Sequence, residues 1–472
     1  MISLQLTEIA RAVDGGLLLD GTDAEPATVV NGAVETDSRD IVEGGIFVAR
    51  RGETTDGHRF AASAVERGAA LLLVERHLDL PVPQILVADG TDALAALAAD
   101  VVRRVKARGR LRIIGITGSN GKTTTKNLLR EICTRAGATV ASRASFNNEV
   151  GGPLTMLELT EDTEFLVAEM GASRVGDIAR LVALAHPDVG VVLKVGLAHA
   201  GEFGGIERTV AAKSEMVTDL EPRDVAVLNR DDSRVAGMAG LTRARVLWFG
   251  LTPDAQVTAR DIEASATGTR FVLELGDGSA RPVEFRVLGE HHVMNALAAA
   301  AAASALGIDI DTIVEGLVSV TRAERWRMEV LATDPVTVVN DAYNASPDSM
   351  AAALKTLAQI APPGGRTVAV LGEMTELGDL APEEHDAIGL LAVRLNVRQL
   401  IVVGEGARRI HLSASAEGSW DGESLFAPTV EEAEALLAAI IEPGDTVLVK
   451  SSNAAGLRHL GDRLGERWGG GA

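Results

Sequence analysis

Short runs of apolar residues alternate with longer stretches in which apolar positions recur every three or four residues. The short runs predict buried strands, and the longer stretches predict amphipathic helices. In the first part of the chain the predicted strands cover residues 45–49, 70–74 and 84–87, and predicted helices cover residues 60–67 and 91–107. This alternation is typical of a small α/β domain, to which we assign residues 1–107.

The same alternation continues in residues 108–325, which we interpret as a central α/β domain. Predicted strands cover residues 111–114, 138–141, 164–168, 189–195 and 225–229. Residues 245–288 then read as short alternating strands with turn signals, which predicts a β-rich excursion before an alanine-rich helix.

Residues 326–472 again alternate strands with helices, and we interpret them as a third domain. The predicted strands are residues 336–340, 367–371, 399–403 and 446–449. This indicates a Rossmann-like sheet, although it carries no G-x-G-x-x-G fingerprint. The pattern therefore predicts a three-domain α/β protein.

Composition agrees with several soluble domains and excludes some functions. A chain of 472 residues suggests about three domains, and its 46% apolar but only 3% aromatic residues predict cores built from Ala, Val and Leu. The net charge of -21 disfavours nucleic acid as a partner. One cysteine, Cys133, excludes an internal disulfide and suits a reducing compartment, where we expect it to be a structural thiol.

The N-terminal residues show no basic segment or cleavage site, so we expect no signal peptide. The longest apolar run, residues 294–308, is shorter than the roughly 20 residues that a membrane span needs. We therefore expect a cytoplasmic protein.

The most informative stretch is residues 115–125, Gly-Ile-Thr-Gly-Ser-Asn-Gly-Lys-Thr-Thr-Thr, between a predicted strand and a predicted helix. Such a loop offers an anion unpaired backbone N–H groups and the positive end of the helix dipole. Lys122 adds a cation for the outer phosphates, and Thr123 can place a hydroxyl on Mg²⁺. The alternative is a helix-initiating turn that binds no ligand, but a Gly-Lys-Thr-Thr motif after a strand usually binds phosphate.

The loop departs from strict Walker A spacing at one position. Ile116 stands where the first glycine is usual. We expect Gly115 and Gly118 to take the role of that glycine.

Three further polar residues follow predicted strands or lie on a predicted helix of the central domain. Glu169 ends the strand at 164–168, and ligands of open parallel sheets bind beyond the carboxyl ends of strands. His199 follows the next strand between glycines, where a neutral imidazole can bind a metal. By residue type alone the simpler interpretations are a solvated loop carboxylate for Glu169, a histidine that binds no metal for His199 and a solvated lysine for Lys213. The phosphate loop favours a metal-binding role for Glu169, and the position of His199 in line with Glu169 favours one for His199.

Residues 36–39, Thr-Asp-Ser-Arg, leave two interpretations open. Asp and Ser favour turns, and this is the simpler interpretation. Arg39 beside the hydroxyl of Ser38 could also hold a phosphate.

Taken in order, these motifs resemble those of the Mur ligases, ATP-dependent enzymes that form amide bonds in peptidoglycan precursors. The resemblance covers nearly the whole chain. Residues 118–124 resemble the phosphate loop of the family, 289–295 its adenine-binding segment and 327–329 its arginine segment. Three segments are most similar to the branch that adds D-alanyl-D-alanine, namely residues 147–153, 341–345 and 371–378.

The resemblance implies ATP and Mg²⁺ as cofactors, with two metal sites. Thr123 and Glu169 would hold one Mg²⁺, and His199 and Lys213 the other, with Lys213 carbamylated so that it presents a carboxylate. The catalytic residues would be Lys122, His199, Lys213 and Arg327. The ATP-binding residues would be Gly118, Ser119, Asn120, Gly121, Lys122, Thr123, Thr124, Asn295, Arg327 and Asp341.

The implied substrates are UDP-MurNAc-tripeptide and D-alanyl-D-alanine, joined through an acyl phosphate. The first domain would bind the UDP part, and the third domain would close on ATP and bind the dipeptide. The substrate-binding residues would be Ser38, Arg39, Asn147, Asn148, Tyr343, Asn344 and Ser346. We expect a monomer without a nucleic-acid partner or membrane insertion.

The chain departs from the family pattern in four places without losing a residue that the chemistry requires. Lys194 and His292 stand where asparagine is usual. The His loop reads His199-Ala-Gly, not His-Leu-Glu, and residues 450–453 read Lys-Ser-Ser-Asn where Lys-Gly-Ser-Arg is common.

Other functions fit less well. A ligase that adds diaminopimelate or lysine would carry an Asp-Asn-Pro-Arg motif, which is missing. Folylpolyglutamate synthase shares the core but should lack the first domain. A non-catalytic ATP-binding regulator is disfavoured by Glu169, His199 and Lys213, and a P-loop kinase would leave the third domain without a purpose.

Overall fold

The computed structural model describes residues 1–52, 54–143, 145–197, 205–265, 268–320, 324–362, 364–418 and 420–469. Three mixed or parallel sheets follow one another along the chain, each covered by helices. No helix within these ranges combines the length and the apolar character needed to cross a membrane.

The first sheet has the strand order β2-β7-β6-β5-β4, and β2 is antiparallel to β7. Its apolar strands are buried against helix α3, whose N-cap Asp89 accepts hydrogen bonds from two backbone N–H groups. The elements are β1 (Leu4–Gln5), α1 (Leu6–Ala12), β2 (Gly16–Leu18), β3 (Val29–Val30), β4 (Val34–Glu35), β5 (Ile46–Val48), α2 (Ala61–Glu66), β6 (Leu71–Val74), β7 (Gln84–Leu86) and α3 (Gly90–Lys106).

The central sheet is parallel, with the order β13-β12-β11-β8-β10-β9. Because chain order reverses on the two sides of β8, a crevice forms beyond its carboxyl end. The elements are β8 (Arg112–Thr117), α4 (Lys122–Ala136), β9 (Thr139–Ala141), α5 (Gly151–Met156), β10 (Phe165–Glu169), α6 (Asp177–Ala185), β11 (Val189–Val192), α7 (Ile206–Thr218), β12 (Val225–Asn229), α8 (Ser233–Gly237) and β13 (Arg245–Phe249).

An antiparallel sheet of β14 (Thr258–Ser265), β15 (Gly268–Glu274) and β16 (Ala280–Phe285) forms the β-rich excursion. The helix α9 (Glu290–Ala305) packs against this sheet and the central one, and α10 (Ile310–Ser319) follows it. Residues 296–303 of α9 are fully buried. Small alanine side chains let the helix approach both sheets closely, which explains a core with few aromatic residues.

The third sheet has the order β17-β18-β22-β19-β20-β21, with only the edge strand β17 antiparallel to its neighbour in the described part. Its elements are β17 (Glu329–Ala332), β18 (Thr337–Asn340), α11 (Pro347–Ile360), β19 (Thr367–Leu371), α12 (Ala381–Arg394), β20 (Gln399–Val403), α13 (Arg408–Ser415), β21 (Glu423–Ala427), α14 (Val430–Ile440), β22 (Thr446–Lys450) and α15 (Leu457–Gly469).

Two details differ from the sequence-based expectation. The strand β8 extends to Thr117, so Gly115 lies inside it and takes no part in the phosphate loop. A Cβ at Gly115 would lie 3.0 Å from the sulfur of Met216, so this glycine serves close helix packing. Ile116 is fully buried in the same strand, and β13, expected in the β-rich excursion, is an edge strand of the central sheet.

Candidate active site between the central and third sheets

A cavity of about 380 Å³ lies between the carboxyl ends of the central and third sheets. It collects most of the ATP-binding residues predicted from sequence together with several predicted substrate residues. Those of the predicted residues that line it are Ser119, Asn120, Gly121, Lys122, Thr123, Thr124, Asn147, Glu169, Asn295, Arg327, Asp341, Tyr343 and Asn344.

The phosphate loop takes its shape from two glycines with positive φ, Gly118 at 151° and Gly121 at 86°. A Cβ at Gly121 would lie only 2.3 Å from Oδ1 of Asn295, so no side chain fits there. The Lys122 ammonium donates to the carbonyl of Gly118 at 2.7 Å, and burial lowers the pKa of Lys122. This bond holds the lysine across the loop, at the N-terminus of α4.

Glu169 ends β10 and is buried at the cavity wall. Its Oε1 accepts a hydrogen bond from Nδ2 of Asn147 at 2.8 Å, whereas its Oε2 is buried without a hydrogen-bond partner. A buried carboxylate oxygen of this kind is costly unless a cation satisfies it. With the buried Thr123 on the same cavity, the donor set fits Mg²⁺, which prefers oxygen ligands.

Unpartnered donors face the same cavity. Nδ2 of Asn120 is buried without a hydrogen bond, and so is Nε2 of His292. Because the amide nitrogen of Asn295 lies 3.2 Å from Nδ1 of His292 and can only donate, the hydrogen of the neutral ring is on Nε2. Burial keeps the pKa of His292 well below its ordinary value and lowers that of His291 to about 4. Neutral and cationic donors in one wall suit an anionic ligand.

Lys213 lies on α7, is only 3% exposed and does not line the cavity, but its charge interacts with that of Lys122. Burial, reinforced by the charge of Lys122, lowers the pKa of Lys213 to about 7. A substantial share of its amine is therefore neutral near neutral pH. A neutral amine is the form that reacts with CO₂ to give a carbamate.

Arg327 reaches the cavity from the segment that precedes β17. Its guanidinium lies 4.0 Å from the centre of the Tyr343 ring, and Nη2 is 3.4 Å from Oγ of Ser145 in the central domain. Trp326 and Met328 both have left-handed backbone angles, with φ of 63° and 53°. Such conformations cluster at functional sites, and here they present Arg327 to the cavity.

Asp341 and Asn344 follow β18 and are joined to the end of β22. The ammonium of Lys450 is 2.6 Å from Oδ2 of Asp341 and 3.1 Å from the carbonyl oxygen of Asn344. The backbone N–H of Met328 donates to Oδ1 of Asp341 at 3.0 Å. Both carboxylate oxygens of Asp341 therefore accept a hydrogen bond, and these two bonds fix the orientation of the carboxylate.

Other predicted residues do not line this cavity. Ser38 is buried and Arg39 exposed in the first unit, where Arg39 pairs with Asp37 at 2.6 Å. Asn148 accepts a hydrogen bond from the N–H of Gly151, the first residue of α5. Ser346 is the N-cap of α11 and lies 3.4 Å from Oδ1 of Asn120. His199 lies outside the described residues.

Two lysines of the cavity have no role that the motifs predict. Lys194, recognised only as a departure from the family pattern, lies opposite Asp348 of the third domain. Lys450 opens the segment 450–453, whose resemblance to the family implies no role for the lysine. Only the pairing of β22 with β18 brings it to Asp341.

The chain belongs to the Mur ligase family. Family models match it in three segments: the Mur ligase family catalytic domain at residues 32–114, the Mur ligase middle domain at 116–303, and the Mur ligase glutamate ligase domain at 326–453.

Within the family, the chain is 43% identical to the UDP-N-acetylmuramoyl-tripeptide--D-alanyl-D-alanine ligase of Mycobacterium tuberculosis and 32% identical to that of Escherichia coli, over 98% of each chain. A structure of MurF from Acinetobacter baumannii matches 98% of this chain and 99% of its own, with a TM-score of 0.88 and 31% identity. MurF of Thermotoga maritima in complex with ADP matches 94% and 99%, with a TM-score of 0.80 and 28% identity.

Proposed function

We propose that this chain joins D-alanyl-D-alanine to UDP-MurNAc-tripeptide at the expense of ATP, in the cytoplasm. The observation that carries the proposal is the set of unpartnered buried atoms around one cavity. Nδ2 of Asn120 and Nε2 of His292 are donors, and Oε2 of Glu169 is an acceptor. A polyphosphate with a divalent cation satisfies both kinds of atom, and the named relatives of the chain carry the same activity.

The reaction follows from the placement of charge. A carboxylate oxygen of the tripeptide attacks the γ-phosphorus of ATP, the bond to the bridging oxygen breaks, and ADP leaves. The amine of D-alanyl-D-alanine then attacks the acyl carbon, loses a proton, and phosphate leaves. Both steps need positioning and charge neutralisation more than covalent help from the protein.

In this proposal the residues of the cavity and three residues outside it, Ser38, Arg39 and Ser346, have separate tasks. Residues 118–124 hold the phosphates, and Lys122 neutralises the outer ones. Asn295 contacts the base, and Arg327 and Asp341 contact ATP from the third domain. Tyr343, Asn344 and Ser346 lie where the dipeptide would arrive. Ser38 and Arg39, in the first domain, would contact the UDP part after release of Arg39 from Asp37.

Thr123 and Glu169 would hold one Mg²⁺, which would shield the phosphate charge. Lys213 would contribute to a second metal site as a carbamate, with His199 as its companion. The lowered pKa of Lys213 supports this role, because only the neutral amine reacts with CO₂. Asn147 would orient the Glu169 carboxylate through the hydrogen bond between their side chains.

The test is an acceptor assay with purified protein, ATP, Mg²⁺, UDP-MurNAc-tripeptide and D-alanyl-D-alanine. We expect phosphate release only when all components are present, together with UDP-MurNAc-pentapeptide by mass spectrometry. Replacing the dipeptide by diaminopimelate or lysine should abolish release. Turnover with a single amino acid would identify a different ligase, and ATP binding without any turnover would identify a regulator.

A further inference from the structure

Lys450 is a buried lysine to which neither the motifs nor the proposed reaction assigns a task. It is the last residue of β22, and its side chain is only 2% exposed. Its ammonium lies 2.6 Å from Oδ2 of Asp341, 3.1 Å from the carbonyl oxygen of Asn344 and 3.4 Å from the carbonyl oxygen of Asp341. These three acceptors match the three N–H donors of a lysine ammonium.

Strand pairing produces this arrangement. The strands β18 and β22 are parallel neighbours, with Asn340 opposite Val449. The N–H of Asp341 donates to the carbonyl of Val449 at 2.8 Å. The residue after β18 and the last residue of β22 therefore lie side by side at the carboxyl end of the sheet, where ligands of such sheets bind.

A buried ammonium is expensive, and removing one partner of such a pair leaves an uncompensated charge. All three N–H donors of Lys450 have acceptors in residues 341–344, so the ammonium stabilises the conformation of that segment. Met328 holds the other oxygen of Asp341. The Asp341 carboxylate is thus held from two sides at the cavity wall before any ligand arrives.

We propose that Lys450 is a positioning residue of the nucleotide site, which acts through Asp341 and Asn344. This inference rests on the proposed use of ATP. A carboxylate can only accept hydrogen bonds, so its partner on a nucleotide is a donor, and the sugar hydroxyls are the donors that a carboxylate binds best. Lys450 therefore sets how strongly the enzyme distinguishes ATP from a nucleotide that lacks those hydroxyls.

The variant Lys450→Met removes the ammonium and keeps an unbranched apolar side chain as long as the carbon stem of lysine. We expect the KM for ATP to rise about tenfold or more, with a smaller change in kcat. The reason is that a displaced Asp341 carboxylate weakens the binding of the nucleotide more than it affects the reacting atoms. The preference for ATP over 2′,3′-dideoxy-ATP, measured as a ratio of kcat/KM, should fall towards one. Lys450→Gln, which keeps a donor and carries no charge, replaces the methionine variant if that variant does not fold.

A matched control lies at the other end of the same strand. Arg366 donates to both oxygens of the buried Asp445, at 2.9 and 2.8 Å, just before β22 begins. Arg366→Met also leaves a buried carboxylate unpaired, so it should lower the melting temperature while the KM for ATP and the sugar preference remain at wild-type values.

A Lys450 variant that loses thermal stability yet keeps the wild-type sugar preference would show that the lysine is only structural. Equal use of both nucleotides by the wild type would also overturn the inference. Calorimetric titration with ATP and with 2′,3′-dideoxy-ATP measures the same preference without turnover. A wild type that binds ATP selectively but forms no amide would therefore contradict the proposed function and leave this inference standing.

Discussion

Lys194 and Asp348 form an ion pair of 2.7 Å across the cavity, from the loop after β11 to the first turn of α11. Lys194 follows a strand of the central sheet, and Asp348 lies on a helix that follows a strand of the third sheet. A Cβ at Gly196 would lie 2.0 Å from Oδ2 of Asp348, so the backbone after β11 also approaches α11 closely beside the pair. The lysine that departs from the family pattern thus has a partner that joins the two halves of the site.

We predict that this ion pair favours the closed arrangement around ATP. Lys194→Met and Asp348→Asn should each raise the KM for ATP by roughly two- to fivefold, since half-exposed ion pairs contribute modestly. The double variant should be no worse than either single variant. A double-mutant cycle on kcat/KM, at low and high salt, measures the coupling. The control is Asp311→Asn, which breaks the exposed ion pair with Arg281 and should leave the KM for ATP unchanged. Additive effects of the Lys194 and Asp348 substitutions on kcat/KM would show that the two residues are not coupled.

Glu169→Gln should abolish the response to Mg²⁺ without unfolding the protein. Oε2 of Glu169 has no hydrogen-bond partner, so replacing the charge by a neutral amide of equal size removes a buried unpaired carboxylate. We expect a melting temperature at or above that of wild type without metal, and turnover reduced by at least about 100-fold. Thermal scans with ATP, with and without Mg²⁺, measure this; a retained metal-dependent shift would contradict the assignment.

Lys213→Ala should lose activity, and added small carboxylates should restore part of it, because a carbamate is a carboxylate in that position. Lys194→Met serves as a control for the loss of a cation near the same cavity, since added carboxylates should not improve it. Full activity in Lys213→Ala would rule out the carbamate.

The lowered pKa of Lys213 also gives stability a pH dependence when CO₂ is excluded. Its pKa in the folded protein is about 7, below the ordinary lysine pKa of 10.5, so between these pH values the unfolded state binds a proton that the native state lacks. Stability should therefore rise with pH across this range. Chemical denaturation at several pH values should show that the advantage of Lys213→Met over wild type is largest near pH 7 and shrinks towards pH 10. A constant difference would contradict the shift.

Tyr343 should act mainly through its ring. Tyr343→Phe removes the hydroxyl that lies 3.2 Å from Oγ of Ser145 but keeps the face beneath the Arg327 guanidinium. We expect Tyr343→Phe to change kcat/KM by less than about threefold. Tyr343→Ala should lower kcat/KM by about tenfold or more, because the Arg327 guanidinium then loses the ring on which it stacks. Steady-state kinetics of the two variants test this prediction. Equal losses of kcat/KM in both would show that the hydroxyl, and not the ring, is the group that matters.

Much of the fold was predictable because apolar periodicity is a local property. Strands such as β19 and β20 were placed at their observed limits, and the alternation of strands and helices predicted the three-domain α/β class. The end of β8 was misjudged, since Gly115 and Ile116 look like loop residues until strand pairing buries them.

The phosphate-binding part of the site was also predictable, because it is formed by residues that are close together in the sequence. The order Gly-Lys-Thr-Thr creates an anion site at the start of α4 wherever that helix is placed, and residues 118–124 therefore identified phosphate as a ligand. Lys194, Asp348 and Lys450 differ, because their partners are 154 and 109 residues away. Whether a lysine is solvated, paired or buried depends on which strands become neighbours, and that is a property of the packed chain alone.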